Sequence, residues 1–152
     1  MSYKERTIWI SLILMLFIWT DYFWSIDNLN QAKTLTVTAI NSLLLKVVVL
    51  TIVLEIVAQI IIAIINHKEA KIEEDERDKL IDLYASRSAY YILSFGVVTA
   101  ILYIVFPNLL TRFPITGVLP TEYVILHIII TIALLAEITK FVLQLYYYRR
   151  GL

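Results

Sequence analysis

Apolar positions run almost unbroken through four stretches of this chain, about 7–24, 44–65, 88–106 and 123–148, and the polar positions gather between them. An α-helix rises 1.5 Å per residue, so about 20 residues cross a hydrocarbon core of about 30 Å. Each stretch is therefore read as a membrane-spanning helix, with the longer second and fourth tilted or projecting beyond the bilayer. Pro107, Pro114 and Pro120 fall between the third and fourth stretches with Gly117, so that connection is irregular and no span carries a proline kink. Gly96 is the only glycine inside a span, and no GxxxG pair supports close dimerisation of that type.

Aromatic residues mark the ends of these stretches. Trp9, Trp19, Tyr22 and Trp24 bracket the first, Tyr90 and Tyr91 open the third, and Tyr146, Tyr147 and Tyr148 close the fourth. Tyrosine and tryptophan favour the headgroup region, where the ring is half apolar and its polar atom stays hydrated. Basic residues set the orientation. Lys4 and Arg6 precede the first span, Lys68, Lys71, Arg77, Lys79 and Arg87 lie between the second and third, and Arg149 and Arg150 follow the fourth. Only Lys33 and Arg112 fall on the opposite side. The positive-inside rule then puts both termini and the central segment in the cytoplasm. The expected fold is all-α, a four-helix integral membrane bundle in the prokaryotic cytoplasmic membrane. Residues 1–152 form one membrane domain with a cytoplasmic arm at 66–87.

Composition agrees with that reading and narrows the chemistry. The 152 residues are 60% hydrophobic, and the mean hydropathy is +0.78, above what soluble domains carry. Formal net charge is zero, which removes the electrostatic case for direct nucleic-acid binding. The absence of cysteine excludes disulfides, thiolate metal sites and cysteine nucleophiles. The start superficially resembles a secretory signal, but bulky residues follow the apolar run, so an uncleaved first helix is expected.

Charged residues inside apolar runs carry the candidate chemistry. Glu55 interrupts the second span, and Glu137 with Lys140 interrupts the fourth. A charge at the centre of such a helix costs roughly 2.5–3.5 kcal/mol on insertion scales, so these residues are expected to pair or to line a pathway. Counting from the cytoplasmic ends puts Glu55 and Glu137 at similar depth near the midplane, with Lys140 about 4.5 Å further in. Gln59 follows Glu55 by four residues and Gln144 follows Lys140 by four, giving each helix a narrow polar stripe. Two readings follow. Lys140 bridges the helices through Glu55, or one of the two acids stays protonated, as a proton-coupled carrier requires. Lys46, His127 and Asp21 sit near the outer surface, where an interfacial role outweighs a metal or proton site.

The arm at 66–87 lacks glycine and proline and is rich in helix formers. Lys71/Asp75, Glu73/Arg77 and Asp75/Lys79 have i,i+4 spacing, and Ile72, Leu80, Leu83 and Tyr84 form a partial apolar stripe. Its acids lack the glycine that an EF-hand turn requires, so solvated charge pairs explain them better than a metal loop. Asp75, Glu76, Arg77, Asp78, Lys79, Leu80 and Ile81, followed by Ala85, Arg87, Tyr90 and Tyr91, resemble a family of small uncharacterised prokaryotic membrane proteins. Those proteins have four predicted helices and a D-E-R-x-x-x-I motif before the third. The resemblance implies a membrane component of a regulatory or stress-related pair, with Asp75, Glu76 and Arg77 as motif positions and Arg87 as the associated base. It transfers no catalytic residue.

No GxSxG, HExxH or Walker sequence is present, so an enzyme is not expected, and no cofactor is implied. The expectation is an interaction or regulatory protein. It would act through its cytoplasmic arm with Asp75, Glu76, Arg77, Asp78 and Arg87, on a protein partner or a second copy. The alternative is a proton-coupled carrier or channel, formed by an oligomer, with Glu55 and Glu137 as its coupling acids.

Overall fold

The computed structural model describes residues 3–67, 75–106 and 121–150. Four helices are present among them: α1 (Tyr3–Gln31), α2 (Val37–Ile65), α3 (Glu76–Val105) and α4 (Thr121–Arg150). Each is long and apolar enough to cross a membrane. α1 and α4 exceed their apolar stretches at both ends, and α2 and α3 at their N-terminal ends, because the polar flanks continue the helix instead of breaking it. Arm residues 68–74, with Ile72 and two of the expected charge pairs, and the proline-containing connection at 107–120 lie outside the described residues.

Contacts divide the chain, read from sequence as one membrane domain, into two units, Met1–Glu73 and Glu74–Leu152. In the first, α1 packs on α2; in the second, α3 packs on α4. The α1–α2 turn is built from local chemistry. The Lys33 amide donates to the Asn30 carbonyl and the Thr34 amide to the Leu29 carbonyl, both at 3.0 Å, which is a Schellman closure of α1. It requires a left-handed residue, and Lys33 takes that place at φ 56°. Thr36 then starts α2, its hydroxyl accepting from the Ala39 amide at 3.2 Å.

The α1 face turned to α2 carries Ile8, Leu12, Met15, Ile18 and Tyr22, spaced three and four apart so that they share one side of the helix. Ile40, Val47 and Ile62 face them from α2. Ile18, Tyr22 and Val47 form the centre of this contact. Away from that contact α2 exposes Ile52, Val53, Ile56 and Ile60, as a lipid-facing surface should.

In the second unit, α3 presents small residues to α4. Ala85 and Ala89, and again Gly96 and Ala100, are buried four residues apart. Such pairs let helix backbones approach closely where hydrocarbon supplies no hydrophobic drive. At Gly96 the approach is so close that an added Cβ would overlap the Ile132 side chain. The motif sought in sequence as GxxxG is thus present in a wider form, and it is used inside a hairpin.

Gly96→Ala is expected to lower stability by about 1–3 kcal/mol through overpacking, and Ile132→Ala in the same chain should recover part of the loss. Denaturant unfolding in micelles would measure both. Lys33→Gly should stabilise by about 1 kcal/mol by removing the left-handed penalty, seen as a higher midpoint in the same assay.

Candidate functional site

Polar side chains meet across each hairpin in a separate cluster. In the first unit, Glu55 and Gln59 lie one turn apart on α2 and face Ser11 of α1. The Ser11 hydroxyl donates to Glu55 Oε1 at 2.5 Å. Gln59 Nε2 donates to the same Oε1 at 2.9 Å and to Ser11 Oγ at 3.1 Å. The three side chains form a closed ring around one carboxylate oxygen. Glu55 stands about midway between Val47 and Ile65, in the centre of an apolar run, and is half-buried. Other hydroxyls in these helices behave differently. Thr51, Thr99 and Thr139 donate to the carbonyls four residues back, those of Val47, Phe95 and Leu135, which satisfies them inside their own helix. Ser11 instead spends its hydrogen on the neighbouring helix.

In the second unit, Asp78 and Asp82 lie one turn apart on α3, opposite Lys140, Gln144 and Tyr148 at four-residue spacing on α4. Asp82 Oδ1 pairs with Lys140 Nζ at 3.3 Å and accepts from Gln144 Nε2 at 2.9 Å. Asp78 Oδ1 accepts from the Tyr148 hydroxyl at 2.8 Å, and Arg77 donates to the Tyr148 carbonyl at 3.4 Å. The result is a ladder of side-chain ties along the polar end of this hairpin. Asp82 and Lys140 retain 57% and 28% exposure, so solvent screening holds the ion pair to under about 1 kcal/mol. Gln144 is only 8% exposed, and its Oε1 has no hydrogen-bond partner among the described residues.

Asp82 faces Gln144 and Gly96 faces Ile132, so Glu137 lies level with the Tyr90 region, where the apolar part of α3 begins. Lys140 is one turn further toward the polar end. Both therefore sit at the margin of the α3 apolar run rather than at its middle. Lys140, expected from sequence to bridge to Glu55, has its ion-pair partner in Asp82 of its own hairpin. Glu137 is exposed on α4. The structure thus unites Glu55 with Gln59, and Lys140 with Gln144, each pair with a partner that sequence reasoning passed over. Ser11 was visible as an uncharged polar residue inside the first apolar run. Asp82 was visible as an acid in the arm, but its facing residue was not.

The expected motif residues act at the start of α3. Asp75 is the cap, its carboxylate accepting from the Asp78 amide at 2.7 Å, rather than pairing with Lys79 as its spacing suggests. Glu76 adds negative charge to the first turn, where the helix dipole favours it. Arg87 donates to the Tyr91 hydroxyl at 3.2 Å and lies 5.8 Å from the ring centroid. The buried face of this segment is Ile81 and Ala85, while Leu80, Leu83 and Tyr84 stay exposed at 46%, 61% and 44%. Among the outer candidates, a His127 ring nitrogen meets the Tyr123 carbonyl at 2.6 Å. Asp21 and Lys46 line a cavity of about 60 Å³ between α1 and α2. Among the described residues no group of acids and histidines is arranged to hold a metal.

No known protein family, curated protein or solved structure matches this chain.

Asp82→Asn and Lys140→Met should together cost less than the sum of the two single changes, with a coupling below about 1 kcal/mol. Asp75→Ala should cost about 1 kcal/mol by removing the α3 cap. Unfolding midpoints of the four variants check both statements.

Proposed function

We propose that this chain is a small integral membrane interaction protein that acts through the polar end of α3, held against the end of α4. The observation that carries this reading is the braced segment before Ala89. Here Asp78 and Asp82 tie α3 to Tyr148, Gln144 and Lys140, while Leu80 and Leu83 stay exposed and Tyr84, its ring 6.3 Å from that of Tyr147, is partly so. Exposed leucines need no explanation where lipid surrounds a helix. These lie beside Glu76, Lys79 and Arg87, ahead of the apolar run, where the surroundings are aqueous or interfacial. With the basic-residue distribution this end lies in the cytoplasm.

A surface of this kind binds without first having to be ordered. The side-chain ladder fixes the segment in advance, so less conformational entropy is lost when a partner docks. Leucine and tyrosine supply contact area, and the mixed charges around them supply orientation. The partner is a cytoplasmic protein or a second copy of the chain. The D-E-R resemblance, with its implied regulatory pairing, supports the first.

A photo-crosslinking residue placed at Leu80, Leu83 or Tyr84 in cells should give one protein adduct of defined mass at all three positions. Ile101, within the apolar run, should give lipid adducts instead. Leu83→Asp should weaken recovery of that adduct about tenfold, equivalent to about 1.4 kcal/mol. Lipid adducts alone at Leu80, Leu83 and Tyr84 would exclude the proposal.

A further inference from the structure

The cytoplasmic segment leaves Glu55 unexplained, because nothing at the surface requires an acid in the middle of α2. Ser11 and Gln59 both donate to Glu55 Oε1, so that oxygen has its hydrogen bonds. Neither group can serve Oε2 as well. The Ser11 hydrogen is already given away, and its oxygen accepts from Gln59. Within the α1–α2 unit, the described residues offer Glu55 Oε2 no hydrogen-bond donor.

We propose that Glu55 holds an exchangeable proton on Oε2 inside the apolar span of the α1–α2 hairpin, with Ser11 and Gln59 as positioning residues. A charged carboxylate at the centre of such a helix costs roughly 2.5–3.5 kcal/mol; a proton on Oε2 removes that charge and leaves the two donors on Oε1 in place. The ring then has a defined job. It turns the carboxyl so that Oε2, rather than Oε1, is the oxygen that gains and loses the proton. Charged groups on the two helices lie away from it: Lys4, Glu5 and Arg6 toward one end, Asp21, Asp27 and Lys46 toward the other. The tyrosines Tyr3 and Tyr22 lie with those groups, and no titratable side chain falls within one turn of Ser11 or Glu55 on its own helix. This inference is independent of the partner-binding surface.

Dicyclohexylcarbodiimide tests it, because this apolar reagent reacts with protonated carboxyls in hydrocarbon. The carboxyl proton passes to one nitrogen of the reagent and the carboxyl oxygen bonds to its central carbon. The O-acylisourea then rearranges to a stable N-acylurea with no atom lost. In full-length protein in lipid nanodiscs near neutral pH, peptide mass mapping should place the adduct on Glu55 of the wild type, and Glu55→Gln should lack it. Labelling should fade as pH rises, and Ser11→Ala and Gln59→Leu should change the pH profile of labelling. A water-soluble carbodiimide should not label the site. As a readout free of reagent access, the infrared difference between wild type and Glu55→Gln should contain a protonated-carboxyl band. A carboxylate band in its place overturns the proposal. So does protection from labelling by sodium but not potassium at constant pH, which would reassign Oε2 to a bound cation.

Discussion

Hydrocarbon offers no hydrogen-bond partners, and this constraint governs each hairpin of the protein. The backbone meets it by staying helical over 29 or 30 residues at a time. Threonine hydroxyls meet it by bonding to the turn behind them. Side chains too long or too charged for that solution must find a partner on the facing helix. Glu55 and Gln59 do so with Ser11 in the first hairpin, while Asp82, Lys140 and Gln144 pair across the second at its polar end, where solvent still reaches. The polar clusters therefore set which faces meet, and the apolar residues around them fill the remaining contact.

The two hairpins solve the packing problem with different residues. In the first, large side chains dominate: Ile18 and Tyr22 of α1 close on Val47, and the aromatic edge contact of Trp19 on Tyr22 at 5.5 Å continues the layer. In the second, alanines and Gly96 bring α3 close to α4. That closeness matters beyond the apolar run. It is what puts the short carboxylates of Asp78 and Asp82 within hydrogen-bond reach of Tyr148 and Gln144. Close packing in the apolar layer and bracing at the polar end are parts of one register, which connects the small-residue stripe to the proposed binding surface.

Much of this was legible in the sequence, and the parts that were not share a cause. The four apolar helices, the helical character of the arm from Asp75 onward and the place of Glu55 inside an apolar run could be read from runs, breaks and charge. Asp75, Glu76 and Arg77 stand out in sequence only as charged residues, and their places as cap, first-turn charge and tie to α4 needed coordinates. The stripe of Leu80, Leu83 and Tyr84 has helical spacing, yet the helix is rotated so that Ile81 and Ala85 face inward. Spacing within a helix shows which residues share a face but not which face is turned to the neighbour, and Asp78 and Asp82 pull the polar edge of α3 toward α4.

By itself, then, the sequence determined the number and apolar character of the helices, because hydrophobicity and helix propensity act along the chain. Only the tertiary structure decided the partners: Ser11 for Glu55, Asp82 for Lys140 and Ile132 for Gly96. Those pairings span tens of residues and depend on helix rotation and register, which are set jointly by two surfaces in contact.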